Sequence, residues 1–264
     1  MLKFINHLGE EIEFGKGNIL INESNVKDYK YNYNIVNDSV EGFEYESPNP
    51  SFEVFIYGKD RKDIANRLFE IIEVDVLAEK SGILIDGDYS LEGFFVASQK
   101  KKYENRTIIN LNLEFISAKK WFKKTKKTFD GEQLDVGGLD YSYDYDYDFT
   151  LDSSPHEITN PNFYDSDFEL RISGPAVSPS IEIGGHLYNV DIEVNEGCIL
   201  VINSQTKKIY IINSDGTEIN VFYARNRDNY IFEKIKSGKQ SIVYDEDMKF
   251  ELTFIDERSE PEWI

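Results

Sequence analysis

Apolar side chains recur at every second position over most of this chain, and no other feature limits its possible folds as strongly. Leu111, Leu113 and Phe115 alternate with Asn110, Asn112 and Glu114. The spacing returns in Ile181 and Ile183, in Val190, Ile192 and Val194, in Ile209 and Ile211, and in Phe250, Leu252 and Phe254. Successive side chains of a strand point to opposite faces, so each run offers one face to a core and the other to solvent. Packing sheet on sheet buries such faces.

One segment changes period. KDRKDIANRLFEIIEV places Ile64, Leu68, Ile71 and Ile72 on one helical face and Arg61, Lys62, Asp63, Arg67 and Glu70 on the other, which predicts a helix over about residues 60–78 with the Ser81-Gly82 pair as its stop. Its apolar stripe needs a sheet to cover it. Short alternating bursts around Leu2, Phe4, Ile12 and Phe14, punctuated by Gly9, Gly15 and Gly17, read as hairpin material, and SFEVFIYG from Ser51 reads as a strand. Beyond the helix, GILIDGDYSLEGFF reads as strand, Asp-Gly turn and strand with Gly93 inside it. A long strand from Arg106 to Ile116 follows a basic, polar loop. The second half divides at GPAVSP, GGH, NEG, NSQTK and NSDG into strands of about five to seven residues, the spacing of a β-sandwich, with SGKQS as a later turn and no helix.

With 264 residues, either one large domain or two ordinary ones can form. The charge distribution favours two. Residues 1–130 hold 19 Lys/Arg and 22 Asp/Glu, a net of -3, whereas residues 131–264 hold 10 and 27, a net of -17, which together make the chain's -20. We therefore expect one domain over 1–130 and an acidic one over 131–264. A chain of this charge repels phosphate backbones and anionic lipid, so neither nucleic acid nor membrane insertion is expected. KKWFKKTKK, Lys119 to Lys127, carries six lysines around Trp121 and Phe122. Nine residues do not outweigh the rest, and this segment reads as a domain exit that contacts a partner or the acidic second half.

Little chemistry can be assembled from the remaining residues. Cys198 is the single cysteine, in the apolar run CILVI, and reads as a buried, inert thiol. His7, His156 and His186 stand far apart with no paired spacing and read as surface or loop residues. GGLD and SGPAV fit neither a dinucleotide fingerprint nor a P-loop, and no Gly-x-Ser-x-Gly elbow occurs. With 49 carboxylates, their abundance points to no particular pair. We expect no enzyme activity, no catalytic, cofactor-binding or metal-binding residues, and no cofactor. No apolar run approaches the roughly 18 residues of a membrane span, and MLKFINHLGEEIEF lacks a signal-peptide core, which points to synthesis in the cytoplasm.

The most unusual stretch is LDYSYDYDYDFTLD, residues 139–152. Asp144, Asp146 and Asp148 match the first three alternate positions of an EF-hand loop, but Phe149 stands where its glycine belongs and Pro155 where its glutamate belongs. Extended, the run puts Tyr141, Tyr143, Tyr145, Tyr147 and Phe149 on one face and the aspartates on the other. That amphipathic strand suits a seam between packed units, with its tyrosines against protein and its aspartates in solvent.

Taken in order, these features resemble the distal tail proteins of siphophages. In the first half the resemblance rests on IYGKDRKDIANRLFEII, ILIDGDYSLEGFF and INLNLEFISAKKWF; in the second, on YDYDYDF, Gly174 and Pro175, Pro179, Gly184 and Gly185, Gly197, and Gly216 with Asn220. Asn203 stands where the family commonly has an aspartate. The resemblance implies a mainly β, two-domain protein: a β-sandwich or barrel-like first domain with one helix, which builds a homo-hexameric ring, and a second domain like the galectin β-sandwich. It further implies a virion tail component, made in the host cytoplasm, that joins the tail tube protein to a tail tip or baseplate hub protein, carries receptor-binding parts and leaves a lumen open for DNA. An acidic surface suits such a channel. The alternative is a carbohydrate-binding module contacting host cell-wall saccharide, for which NVFYARNRDNYIF at 220–232 supplies aromatics, arginines and asparagines.

Overall fold

The computed structural model describes residues 2–46, 49–101, 107–129, 156–245 and 247–262, with the side chain of His156 not included. The tyrosine–aspartate stretch lies outside these residues, and with it the expectation about which of its faces is packed. The described residues are 57% strand with one α-helix, in several sheets, and among them no sheet closes into a barrel. It divides into two compact units, one of Met1–Lys123 with Glu257–Ile264 and one of Lys124–Asp256. Charge places a boundary at Asp130; the compact units divide seven positions earlier, inside the strand Trp121–Phe129, and return the last residues to the first unit.

The first unit is a β-sandwich whose two sheets share a strand. The first part of Tyr89–Lys100 pairs with Gly82–Asp86, which continues to Leu2–Ile5 and Glu11–Glu13. Its second part pairs with Ile108–Ile116, which continues to Ser51–Tyr57 and Ile19–Ser24. The register shifts between Phe95 and Ala97, so Val96 is an extra, exposed residue at the point where the strand changes partner. Such a bulge bends a strand and lets it serve both layers. Gly93 precedes it because a Cβ there would lie 2.0 Å from the Ile116 carbonyl oxygen.

Phe4, Phe14, Phe52, Phe95 and Phe115 fill the space between the sheets, joined by Leu84, Leu91, Leu111, Leu113 and Trp121. The helix Arg61–Ala78 buries Ala65, Leu68, Ile71 and Ile72 against them, close to the expected stripe, with Ile64 partly buried. Each fully buried Leu or Ile contributes roughly 1.5–3 kcal/mol. The helix ends not at Ser81-Gly82 but at Glu79, whose left-handed backbone (φ 53°) turns its N–H back to the Asp75 and Val76 carbonyls.

In the second unit Asp167–Ser173 lies between Ile199–Asn203 and Lys249–Arg258, and Lys208–Ile212 and Glu218–Asn220 extend the Ile199–Asn203 side. The facing sheet is His156–Asn160, Gly238–Tyr244, Ser180–Ile183 and His186–Asn189. The period-two residues meet as expected: Ile181, Ile183, Val190, Val194, Ile209, Phe250, Leu252 and Phe254 are buried in one core, with Ile192 and Cys198 packed at its margin. Among its described residues the one helical turn, a 3-10 turn at Phe222–Ala224, is too short to leave a periodic signal.

Candidate assembly surface

Between Ser24 and Ser51 the first unit carries a two-stranded hairpin, Lys30–Val36 with Ser39–Glu46, that pairs with no other described strand. Its turn is Asn37-Asp38, both in the left-handed region (φ 49° and 64°), which the short polar side chains of Asn and Asp tolerate and which a tight hairpin requires. Tyr31 faces Tyr45, the Tyr33 ring lies 6.4 Å from Phe43, and Ile35 faces Val40. Beside Gly42 (φ 67°) the register gains a residue, and this bulge returns Val40 to the face that holds Phe43. One face is therefore apolar throughout, and the other carries Lys30, Asn32, Asn34, Ser39, Glu41, Glu44 and Glu46, with Val36 beside the turn.

The described residues cover only the base of the apolar face. Tyr31 shares a 2.8 Å hydroxyl hydrogen bond with Ser259, the Tyr45 hydroxyl donates to the Ser259 carbonyl at 3.4 Å, and Lys120 sits over both rings at 5.7 and 5.0 Å. Burial pushes the Tyr45 hydroxyl up to about 12, while the Ser259 hydrogen bond, with help from Lys120, lowers that of Tyr31. Past this anchor Tyr33, Ile35, Val40 and Phe43 remain 57, 68, 53 and 63% exposed. No expectation from the sequence covers this hairpin. Its signal is present in YKYNYNIVNDSVEGFEYE, apolar alternation on both sides of an Asn-Asp pair, interrupted by the bulge.

A second apolar surface lies on the outward face of the Ile19–Ser24/Ser51–Tyr57 pair. Leu20, Phe55, Tyr57, Gly58, Thr107 and Ile108 line a groove of about 500 Å³. The same face turns polar beside it, where Glu53 accepts hydrogen bonds from Lys101 and Asn22 at 2.6 Å and from Asn110 at 3.1 Å. These donors, Lys101 foremost, hold the Glu53 carboxyl at about 2 against the ordinary 4.5. Because the folded value is the lower one, the carboxylate adds stability above about 4.5 and loses that contribution as the pH falls toward about 2. Glu53→Gln is expected to flatten the acid limb of a stability–pH curve over that window; an unchanged limb in urea titrations across it counts against the network.

The other sequence candidates are placed as follows. Three of the six lysines in the basic run are paired locally: Lys119 with Glu92, Lys123 with Asp88 at 2.7 Å and Lys126 with Glu251 at 2.8 Å, while Trp121 is buried. His7 lies in the turn after the first strand and is anchored there: its backbone N–H donates to buried Asp75 at 2.9 Å and its Nδ1 lies 2.5 Å from the same oxygen. His186 Nε2 meets the Tyr230 carbonyl at 3.0 Å, beside a 280 Å³ pocket lined by Gly184, Gly185, Lys234, Lys236 and Gln240. Asn203 donates to Glu169 at 2.9 Å and accepts from the Thr206 N–H at 2.9 Å, so it fixes a turn. Of NVFYARNRDNYIF, Tyr223 and Tyr230 are exposed, Arg225 stacks 4.1 Å over Phe222, and Phe222 and Tyr230 each contact Phe232 at 6.0 Å. Among the described residues no group of three His, Cys, Asp or Glu side chains could hold a metal ion, and no helix is long and apolar enough to cross a membrane.

A β-sandwich bearing one helix, followed by a second β-sandwich, is the fold of phage tail hub proteins. The crystal structure of the phage SPP1 Dit (gp 19.1) protein, described as a paradigm of the hub adsorption apparatus in phages infecting Gram-positive hosts, matches 98% of this chain over 99% of its own, with a TM-score of 0.61 and 8% identity. A chain of the phage P2 baseplate in its activated conformation with Ca matches over the same shares at 0.61 and 12%, and one from the baseplate with Sr at 0.62 and 12%. No protein-family model matches the sequence, and no curated protein matches it. The likeness is one of fold, carried through both units.

Proposed function

We propose that this protein is a structural component of a phage tail: a hub in which six copies form a ring joining the tail tube protein to the tip or baseplate proteins, with an open lumen for DNA. The observation that carries this reading is the full-length match, since both units and their order correspond at once to hub proteins over 98% of the chain. An exposed apolar hairpin on an otherwise soluble unit suits a part that is buried only on assembly. The net charge of -20 suits a passage that must not retain DNA. Virion tail location and contacts with receptor-binding parts belong to the same reading, and no catalytic role is assigned. Negative-stain imaging and native mass measurement of the purified full chain test it. Six-membered rings with an open centre are expected; a chain that stays monomeric at high concentration and is missing from purified tails refutes it.

A second reading has its own observation. Tyr230, exposed and with its carbonyl on His186 beside the pocket, and Tyr223, exposed next to Phe222 in the chain, offer aromatic rings of the kind that stack on sugars. If this surface holds host saccharide, the full chain is retained on purified cell walls and a Tyr223→Ala, Tyr230→Ala variant is not; equal behaviour of the two removes the reading.

A further inference from the structure

Among the described residues, every hydrogen bond and ring contact between the Lys30–Glu46 hairpin and the rest of its unit runs through Tyr31 and Tyr45. Their rings meet at 5.5 Å at the base of the hairpin. Beyond the flanking Tyr29 they have two partners, Lys120 and Ser259, which stand 89 and 228 residues from Tyr31 in the chain. A two-stranded hairpin is at best marginal in water, so what keeps this one in place has to act at that base. Each partner is itself fastened to the first unit. Lys120 follows a turn in which the Ser117 hydroxyl accepts the Lys119 N–H at 3.0 Å, and it precedes buried Trp121. Ser259 follows Arg258, whose guanidinium lies 5.3 Å from the ring of buried Tyr89 and pairs with Glu262 at 2.8 Å, and Pro261 between them is buried.

We infer that residues 258–262 form a strap which, together with Lys120, clamps the base of the hairpin and sets the direction in which Tyr33, Ile35, Val40 and Phe43 are presented. The strap acts through Ser259, whose hydroxyl meets Tyr31 at 2.8 Å and whose carbonyl accepts from Tyr45 at 3.4 Å. Lys120 closes the other side, its Nζ 3.5 Å from the Tyr31 hydroxyl and over both rings. These are polar contacts at a partly exposed site, each modest alone, so they hold the hairpin without merging it into the core. The hairpin is therefore a conditional element: folded and aimed while the clamp is closed, and loosened when it opens. The lever is long. From Tyr31 the strand runs outward to Val36, about 17 Å of extended chain, so a tilt of about 10° at the clamp displaces the tip by about 3 Å. The clamp lies within one chain, and it operates whether or not six copies form a ring.

Amide hydrogen exchange of the full chain tests the clamp, because it reads the hairpin and the core separately. Lys120→Ala with Ser259→Ala removes the cation and the Tyr31 hydrogen bond while leaving the hairpin's own sequence untouched. Hairpin amides in Lys30–Val36 and Ser39–Glu46 are expected to exchange at least ~10-fold faster in this variant, and faster still when Tyr45→Phe is added, while Ser51–Tyr57 and Ile108–Ile116 keep their native rates. Tyr31→Phe with Tyr45→Phe, which keeps both rings and leaves Lys120 and Ser259 in place, is expected to give the same pattern to a smaller degree. Three results overturn the clamp: hairpin amides that exchange in the native chain as fast as unstructured peptide, hairpin rates unchanged in both variants, or core strands accelerated by the same factor as the hairpin, which would make these contacts part of the fold as a whole.

Discussion

Replacing Phe95 by alanine is expected to cost the first unit about 3–5 kcal/mol. No other side chain of that core has as many aromatic neighbours: its ring lies 5.0 Å from Phe4, 5.1 Å from Phe115, 5.8 Å from Phe52 and 6.1 Å from Phe14. The contacts with Phe4 and Phe115 are edge-on, a geometry that adds about 0.5–1.5 kcal/mol beyond the buried area. Its position raises the cost, because the neighbouring bulge at Val96 fixes where Tyr89–Lys100 passes from one sheet to the other, and the void would open where both sheets meet. Trp121 is buried in the same core, so its emission follows this unit in urea. Phe95→Leu, which keeps a branched apolar group, should recover about half of the loss. If Phe95→Ala shifts the midpoint no more than a surface change does, this core does not hold the two sheets together.

Removing the His7 side chain is expected to cost about 3 kcal/mol, an unusual loss for a residue in a surface turn. Asp75 lies near the end of the helix, wholly buried, and its Oδ2 has no partner among the described residues. Its Oδ1 depends on the His7 backbone N–H and ring. Gly82 leaves the room for this, since a Cβ there would lie 2.4 Å from Oδ2 and from the Phe4 ring. Asn6 adds a bond to the Ile71 carbonyl at 3.3 Å, so the turn between the first two strands is fastened to the helix at two points. The cost of His7→Ala comes mainly from the buried carboxyl left behind, and it should shrink when Asp75 is already Asn. In a double-mutant cycle the two changes are expected to be non-additive by well over 0.5 kcal/mol; additivity within that margin shows that the pair is not coupled.

Much of the architecture was legible in the chain. Alternation at Leu111, Leu113 and Phe115 and at Phe250, Leu252 and Phe254 identified inward faces that the structure buries, and the helix lies within a residue or so of its expected span. These features were readable because side-chain direction follows from local backbone geometry, with a period of 2 in strands and 3.6 in helices. The exposed hairpin face was less legible for the same reason. Tyr33, Ile35, Val40 and Phe43 have the alternation of core residues, and nothing local to YKYNYNIVNDSVEGFEYE states that no described strand covers them.

Partner choice across long sequence separations lay beyond the pattern. His7 and Asp75 are 68 residues apart, Tyr31 and Ser259 are 228 apart, and both meetings depend on how the sheets close. Charge content placed a division at Asp130 because it records composition, while the compact units divide inside Trp121–Phe129, where Phe122 pairs with Ser90 and Phe129 stacks on Phe250. By itself the sequence determined which residues form strands, which form the helix and which face of each is apolar, because those are properties of neighbouring residues. Only the tertiary structure decided which apolar faces cover one another and which no described residue covers, because that depends on surfaces brought together from distant parts of the fold.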